Sequence, residues 1–143
     1  MNRLIGKEVS IGYGERVIVN NLDVAIPDGK ITSIIGPNGC GKSTLLKALS
    51  RLLNTKSGEI SLDGKNIHTQ STKEIAKKIA ILPQSPDVAD GLTAGELVSY
   101  GRFPHQKGFG RLNEEDKKEI DWAMRVTGSI DFKHRAVNDL SCL

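Results

Sequence analysis

Gly36-Pro37-Asn38-Gly39-Cys40-Gly41-Lys42-Ser43-Thr44 is the stretch that decides the fold, because it fits the pattern G-x-x-x-x-G-K-[ST]. Glycine at 36, 39 and 41 allows positive φ and close backbone approach, so that successive N–H groups can turn inward around a phosphate. Lys42 supplies a mobile cation able to bridge β- and γ-oxygens. The Ser43 hydroxyl is the expected Mg²⁺ ligand, and Thr44 is expected to assist at the α-phosphate. Pro37, Asn38 and Cys40 complete the candidate cofactor-binding loop. At Cys40 only the backbone is needed; the alternative is a reactive thiol at a helix end. The same pattern also fits a glycine-rich turn with a solvated lysine, and the surroundings decide between the two. Lys30-Ile31-Thr32-Ser33-Ile34-Ile35 is β-branched and is expected to form a central strand buried on both faces. From Ser43, Leu45, Leu46, Leu49, Leu52 and Leu53 fall on one face of a helix that points its N-terminus at the phosphate.

Working outward, Val9, Ile11 and Tyr13 alternate with polar neighbours, as do Leu22, Val24 and Ile26 before the turn Pro27-Asp28-Gly29. Both read as half-buried antiparallel strands. Downstream, Glu59 to Leu62 reads as a strand ending in the turn Asp63-Gly64. Ser71-Thr72-Lys73-Glu74 reads as a capping box opening a short helix, and Lys78 to Leu82 as another buried strand ended by Pro83. The order strand, helix, strand, helix, strand predicts an α/β plan with a parallel element. After Gln84 the texture becomes helical. Thr93-Ala94-Gly95-Glu96 opens a helix ending near Gly101, Gly101 to Leu112 reads as a loop, and Asn113 caps a helix from Glu114 to Thr127 stopped by Gly128. The predicted boundary separates 1–84 from 85–143.

The 143 residues leave room for one domain of ordinary size, and 38% hydrophobic with 26% charged residues excludes the disordered and collagen-like classes. The net charge of +3 is spread along the chain and marks no nucleic-acid partner. With 4% aromatics a stacking platform for single strands is not expected either. No apolar run approaches the ~20 residues that span a bilayer, and Met1-Asn2-Arg3-Leu4 opens no signal peptide, so a soluble cytosolic chain is expected. Cys40 and Cys142 form no CxxC, and His68, His105 and His134 complete no metal spacing, so neither a disulfide nor a zinc site is expected.

With these motifs in order, the chain closely resembles the nucleotide-binding subunits of ABC transporters. The loop reads GPNGCGKST where that family has GPNGxGKST. Tyr13 lies upstream, where the family places an aromatic that stacks on adenine; the rival reading is a strand-end core tyrosine. Gln84, in Ile81-Leu82-Pro83-Gln84 after the predicted strand, falls at the family's Q-loop glutamine, which contacts Mg²⁺ and the attacking water and senses the membrane partner. Leu97 to His105, with its GRFPH piece, looks like the helical subdomain of importers for ferric siderophores, haem and cobalamin. By chemistry alone, Arg102 and His105 are surface groups.

The resemblance implies an α/β fold of the P-loop NTPase, ABC type: antiparallel N-terminal strands, a partial parallel core sheet and a helical subdomain. Residues 1–84 would be the ATP-binding core and 85–143 part of the helical subdomain. It implies ATP and Mg²⁺ as cofactors and a dimeric transmembrane permease docked near Gln84. It further implies a second ATPase subunit, a periplasmic or lipoprotein substrate-binding protein met indirectly, no nucleic acid, and a peripheral position at the cytoplasmic face of the membrane. Asn138-Asp139-Leu140-Ser141 begins like the family signature, but Cys142-Leu143 stand where G-G-Q is expected. The Walker B strand, its Mg²⁺-binding aspartate, the adjacent catalytic glutamate, the D-loop and the switch histidine would all lie past residue 143. Asp63 after Ile60-Ser61-Leu62 is no substitute, since Asp63-Gly64 is a turn. The chain as written is therefore expected to bind nucleotide and to hydrolyse it poorly or not at all. A non-transport ABC ATPase and an inactive truncated product are the alternatives.

Overall fold

Alternating apolar residues at the start of the chain build a long antiparallel hairpin, β1 (Asn2–Tyr13) and β2 (Arg16–Pro27), joined by the two-residue turn Gly14-Glu15. The computed structural model describes residues 1–84, 89–108 and 110–140. The other edge of β1 pairs antiparallel with β3 (Ser57–Leu62), which turns through Asp63-Gly64 into the two-residue β4 (Lys65–Asn66). The sheet order is β2-β1-β3-β4. In β3, Ile60 and Leu62 are buried and Ser61 between them is only partly covered, as its alternation predicts.

Helix α1 (Lys42–Leu49) packs Leu45, Ala48 and Leu49 into one core with Val9, Ile11, Ile60, Leu62, Ile67 and Ile75. Each large aliphatic side chain removed from water there contributes about 1.5–3 kcal/mol. The helix is shorter than the leucine spacing predicts. Leu52 lies beyond its end, 63% exposed, while Leu53 still packs on the core from the following turn. Helix α2 (Thr72–Ala76) starts at Ser71, whose hydroxyl accepts the Glu74 N–H, so one arm of the expected box is formed.

The chain divides into two compact units, Met1–Ile81 and Leu82–Leu143. In the second, α3 (Ala94–Ser99) and α4 (Glu114–Val126) both open on complete capping boxes, Thr93 with Glu96 and Asn113 with Asp116. Ala94, Ile120 and Met124 form its core, with Val98, Leu112, Ile130, Val137 and Leu140 packed around them. Gly128, at φ +67, follows the helix where a stop is expected. The predicted loop after α3 instead begins as a 3₁₀ turn, Tyr100–His105, with Pro104 inside it.

The two strands expected to be buried on both faces are not formed. Residues 31–35 are in no strand, with Ile31 98% and Ile35 89% exposed, and 78–82 likewise have no ladder, with Leu82 86% exposed. A strand of that kind is stable only between neighbouring strands and under layers on both faces. Among the described residues the one sheet is antiparallel throughout and neither segment pairs with it, so the α/β class stands without a paired parallel core. The signature-like segment lies, beyond Leu140, outside the described residues.

Candidate functional site

The loop from Gly36 to Gly41 connects residues 31–35 to α1, and its last residue is the N-cap of that helix. Gly41 has φ +98, and a Cβ there would meet Val19 Cγ2 at 2.9 Å and Ile18 Cγ2 at 3.0 Å. Glycine is therefore required twice, by backbone conformation and by close packing on β2. Gly39 also has a left-handed φ, of +80. No side chain caps α1 and no acid sits in its first turn. The Leu45 N–H donates to the Gly41 carbonyl at 2.8 Å, which leaves the N–H groups of Lys42, Ser43 and Thr44 ahead of the helical ladder. Together with the helix dipole they make a concentrated patch of positive potential.

Lys42 lies over this patch. Its Nζ donates to the Gly36 and Pro37 carbonyl oxygens, each at 2.7 Å, and approaches Cys40 Sγ at 3.8 Å. The ammonium thus braces the curl of the loop, which Cys40 N–H tightens by donating to the Pro37 carbonyl at 3.3 Å. Ser43 is exposed beside it, whereas Thr44 is buried against the core. Cys40 is a free thiol and is exposed. A cleft of about 340 Å³ runs along the loop between Ile18, Val19 and Leu22 of β2 and Ile34 and Ile35.

Tyr13 closes the hairpin opposite Arg16 and is 47% exposed, so it is not a core residue. Arg16 lies two residues before Ile18, the side chain that touches Gly41. At ~3.3 Å per residue, the Tyr13 end of the hairpin stands on the order of 10 Å from the loop. Gln84 is exposed at a bend in the second unit. Asp63, rejected from the sequence as a metal-binding acid, is engaged elsewhere. Arg3 holds it through Nε–Oδ1 at 2.8 Å and Lys78 through Nζ–Oδ2 at 2.8 Å. The Arg3 hydrogen bond, then that of Lys78, keeps its carboxyl far below the usual range.

In the second unit the reading of Arg102 as a surface group is corrected. Its side chain is 19% exposed, and Nε donates to Asp116 Oδ1 at 2.8 Å. Asp116 is only 1% exposed and shares the buried face of α4 with Ile120 and Met124. Arg102 first, and then the Asn113 N–H at 3.1 Å, hold its carboxyl below the ordinary carboxylate range. The sequence signal was present: Asp116, Ile120 and Met124 fall four apart, so an acid sat on the apolar stripe. His105 is exposed, as expected.

A turn of glycines braced by a lysine and leading into an uncapped helix is the arrangement of a P-loop. The family profile described as ABC transporter matches residues 19–142, and the chain belongs to that family. It is 57% identical over 141 residues to the Iron(3+)-hydroxamate import ATP-binding protein FhuC of Bacillus subtilis (strain 168), covering 99% of this chain and 52% of that one. It is 45% identical over 139 residues to the Ferric enterobactin transport ATP-binding protein FepC of Escherichia coli (strain K12), covering 97% and 51%. Among solved structures it matches a dimeric, post-hydrolysis ATP-binding cassette bound to ADP and Pi. The TM-score is 0.77 at 26% identity, covering 96% of this chain and 63% of that one. The chain spans about half the length of the curated relatives it matches. No helix among the described residues is long and apolar enough to cross a membrane.

Proposed function

We propose that this chain binds MgATP through residues 36–44 as part of the ATP-binding subunit of an importer for ferric siderophores. The observation that carries the reading is the uncapped start of α1 behind a loop that Lys42 already holds curled. The donor set fits a triphosphate: free main-chain N–H groups, one ammonium and the exposed Ser43 hydroxyl. Mg²⁺ takes one or two protein oxygens and completes its shell with phosphate and water, and it would neutralise charge on the β- and γ-oxygens. Ser43 is the first such ligand, and Gln84, at the family's Q-loop position, is the second that the resemblance supports.

The loop from Gly36 to Gly41 would wrap the β-phosphate with its main-chain N–H groups, Pro37 having none, while Lys42 would give up a loop carbonyl for a phosphate oxygen and Thr44 would support the α-phosphate end. Tyr13 receives the base at the hairpin end, across the width that a ribose and one phosphate span. The cargo class rests on the 57% identity to an iron(3+)-hydroxamate import protein and the 45% identity to a ferric enterobactin transport protein. In that setting the partners are a transmembrane permease, which docks near Gln84, and a second ATPase subunit. A substrate-binding protein is met indirectly, and the chain works at the cytoplasmic face of the membrane. ATP hydrolysis belongs to the proposal for the whole protein.

Isothermal titration of the folded chain with MgATP tests the binding step. Saturable binding that Lys42→Ala weakens by about 100-fold supports it, and equal affinity in the two proteins contradicts it. Co-sedimentation with vesicles carrying a hydroxamate permease, against permease-free vesicles, tests the transport setting.

A further inference from the structure

Lys56 lies outside both the phosphate loop and the core, yet it is fastened at two points. Its own N–H donates to the Ser10 carbonyl at 2.8 Å, and the next residue, Ser57, is the register partner of Ser10. Its Nζ reaches the end of the β1–β2 hairpin and donates to the Gly14 carbonyl oxygen. That oxygen belongs to the central peptide of the Gly14-Glu15 turn, between the closing pair Tyr13 and Arg16. The carbonyl of a central turn peptide takes no part in the strand ladder, so it needs a partner from elsewhere or water. The two favoured hairpin turns, I′ and II′, differ chiefly in the direction of this peptide. Gly14 has φ +53 in the first central position and Glu15 is not among the residues of positive φ, which fits type II′ and not type I′. An ammonium on one side of the oxygen holds the peptide in that direction.

We propose that Lys56 is a positioning residue for the nucleobase: it fixes the turn peptide next to Tyr13 and so sets the angle at which the phenol ring meets the base. The proposal rests on the reading of Tyr13 as the base platform. Tyr13 immediately precedes this turn, so the direction of its Cα–Cβ bond follows the turn backbone. The contact involves no residue of the phosphate loop. Its loss therefore acts on recognition of the nucleoside and not on capture of the phosphates.

The test compares magnesium complexes of ATP and of inorganic tripolyphosphate, titrated into the wild-type chain, Lys56→Met, Lys56→Arg and Tyr13→Ala. The expected result for Lys56→Met is an ATP affinity lowered about threefold to tenfold with tripolyphosphate affinity unchanged within a factor of about 1.5, an effect of the size one ordinary hydrogen bond supports. Lys56→Arg should restore ATP binding, and Tyr13→Ala should lose at least as much of the preference for ATP. Equal weakening of both ligands in Lys56→Met would show a general structural role and overturn the proposal. If Tyr13→Ala removes the preference while Lys56→Met keeps it, the positioning role fails and the base platform stands. If Tyr13→Ala keeps the preference, the platform reading fails first and takes the proposal with it.

Discussion

The two units of this chain organise polar chemistry in opposite ways. Around 36–44 the working groups are main-chain amides, exposed by left-handed glycines and an uncapped helix, and one lysine braces them through backbone carbonyls. In 82–143 the corresponding helix starts are closed by their own side chains. Thr93 pairs with Glu96 and Asn113 with Asp116, and Arg102 is locked onto the second of these. An N-terminus left open is available to an anionic ligand; one closed by a carboxylate is already satisfied. The difference separates a unit with an open helix start, where the phosphate site is proposed, from a unit whose helix starts are closed.

The largest effect should come from Gly41→Ala. A left-handed φ and two methyl groups within 3.0 Å of the new Cβ put strain into the loop, and affinity for MgATP should fall by about 100-fold in titration calorimetry. Melting of the second unit, followed by Trp122 fluorescence, should stay unchanged. Loss of affinity below threefold would show that the cradle is not the binding element. Arg102→Met does the reverse. It leaves Asp116 buried without its cation, and the Trp122 melting temperature should drop by about 10 °C while MgATP affinity at the loop stays within a factor of about two.

Acid sharpens the contrast further. Arg102 holds Asp116, and Lys133 holds Asp121, below the ordinary carboxylate range. A depressed folded pKa gives stabilisation that is complete above the unfolded value of about 4 and is lost as the pH falls through the folded value. The second unit's melting temperature should therefore decline from about pH 4 downward, and more steeply in the wild type than in Asp116→Asn. The loop itself carries no acid or histidine. The smallest effect belongs to Cys40→Ser: position 40 contributes only backbone, so MgATP affinity should change by less than about twofold. A larger loss would give the thiol a role of its own.

What could be read in advance follows from how local each signal is. The hairpin was legible because Val9, Ile11, Leu22 and Val24 alternate, and the caps at Thr93 and Asn113 because a capping box spans four residues. The curl at 36–41 was legible because Gly39 and Gly41 answer a backbone demand that few other patterns make. The 31–35 and 78–82 segments carry the composition of buried strands, but burial depends on neighbours far away in sequence, and here no ladder reaches them. The 3₁₀ turn at 100–105 went unread because Gly101 and Pro104 look like loop punctuation. Asp116 on the apolar stripe of α4 was a readable sign of a buried acid, but its partner Arg102 lies 14 residues away and left no local trace.

Amide hydrogen exchange of the folded chain, with and without MgATP, reads the main-chain cradle directly. The amides of residues 39–45 should be the most strongly protected on adding MgATP, and EDTA should reverse much of that protection. Protection confined to the second unit, or none in 39–45 while nucleotide is demonstrably bound, would contradict the claim that this loop is the phosphate site.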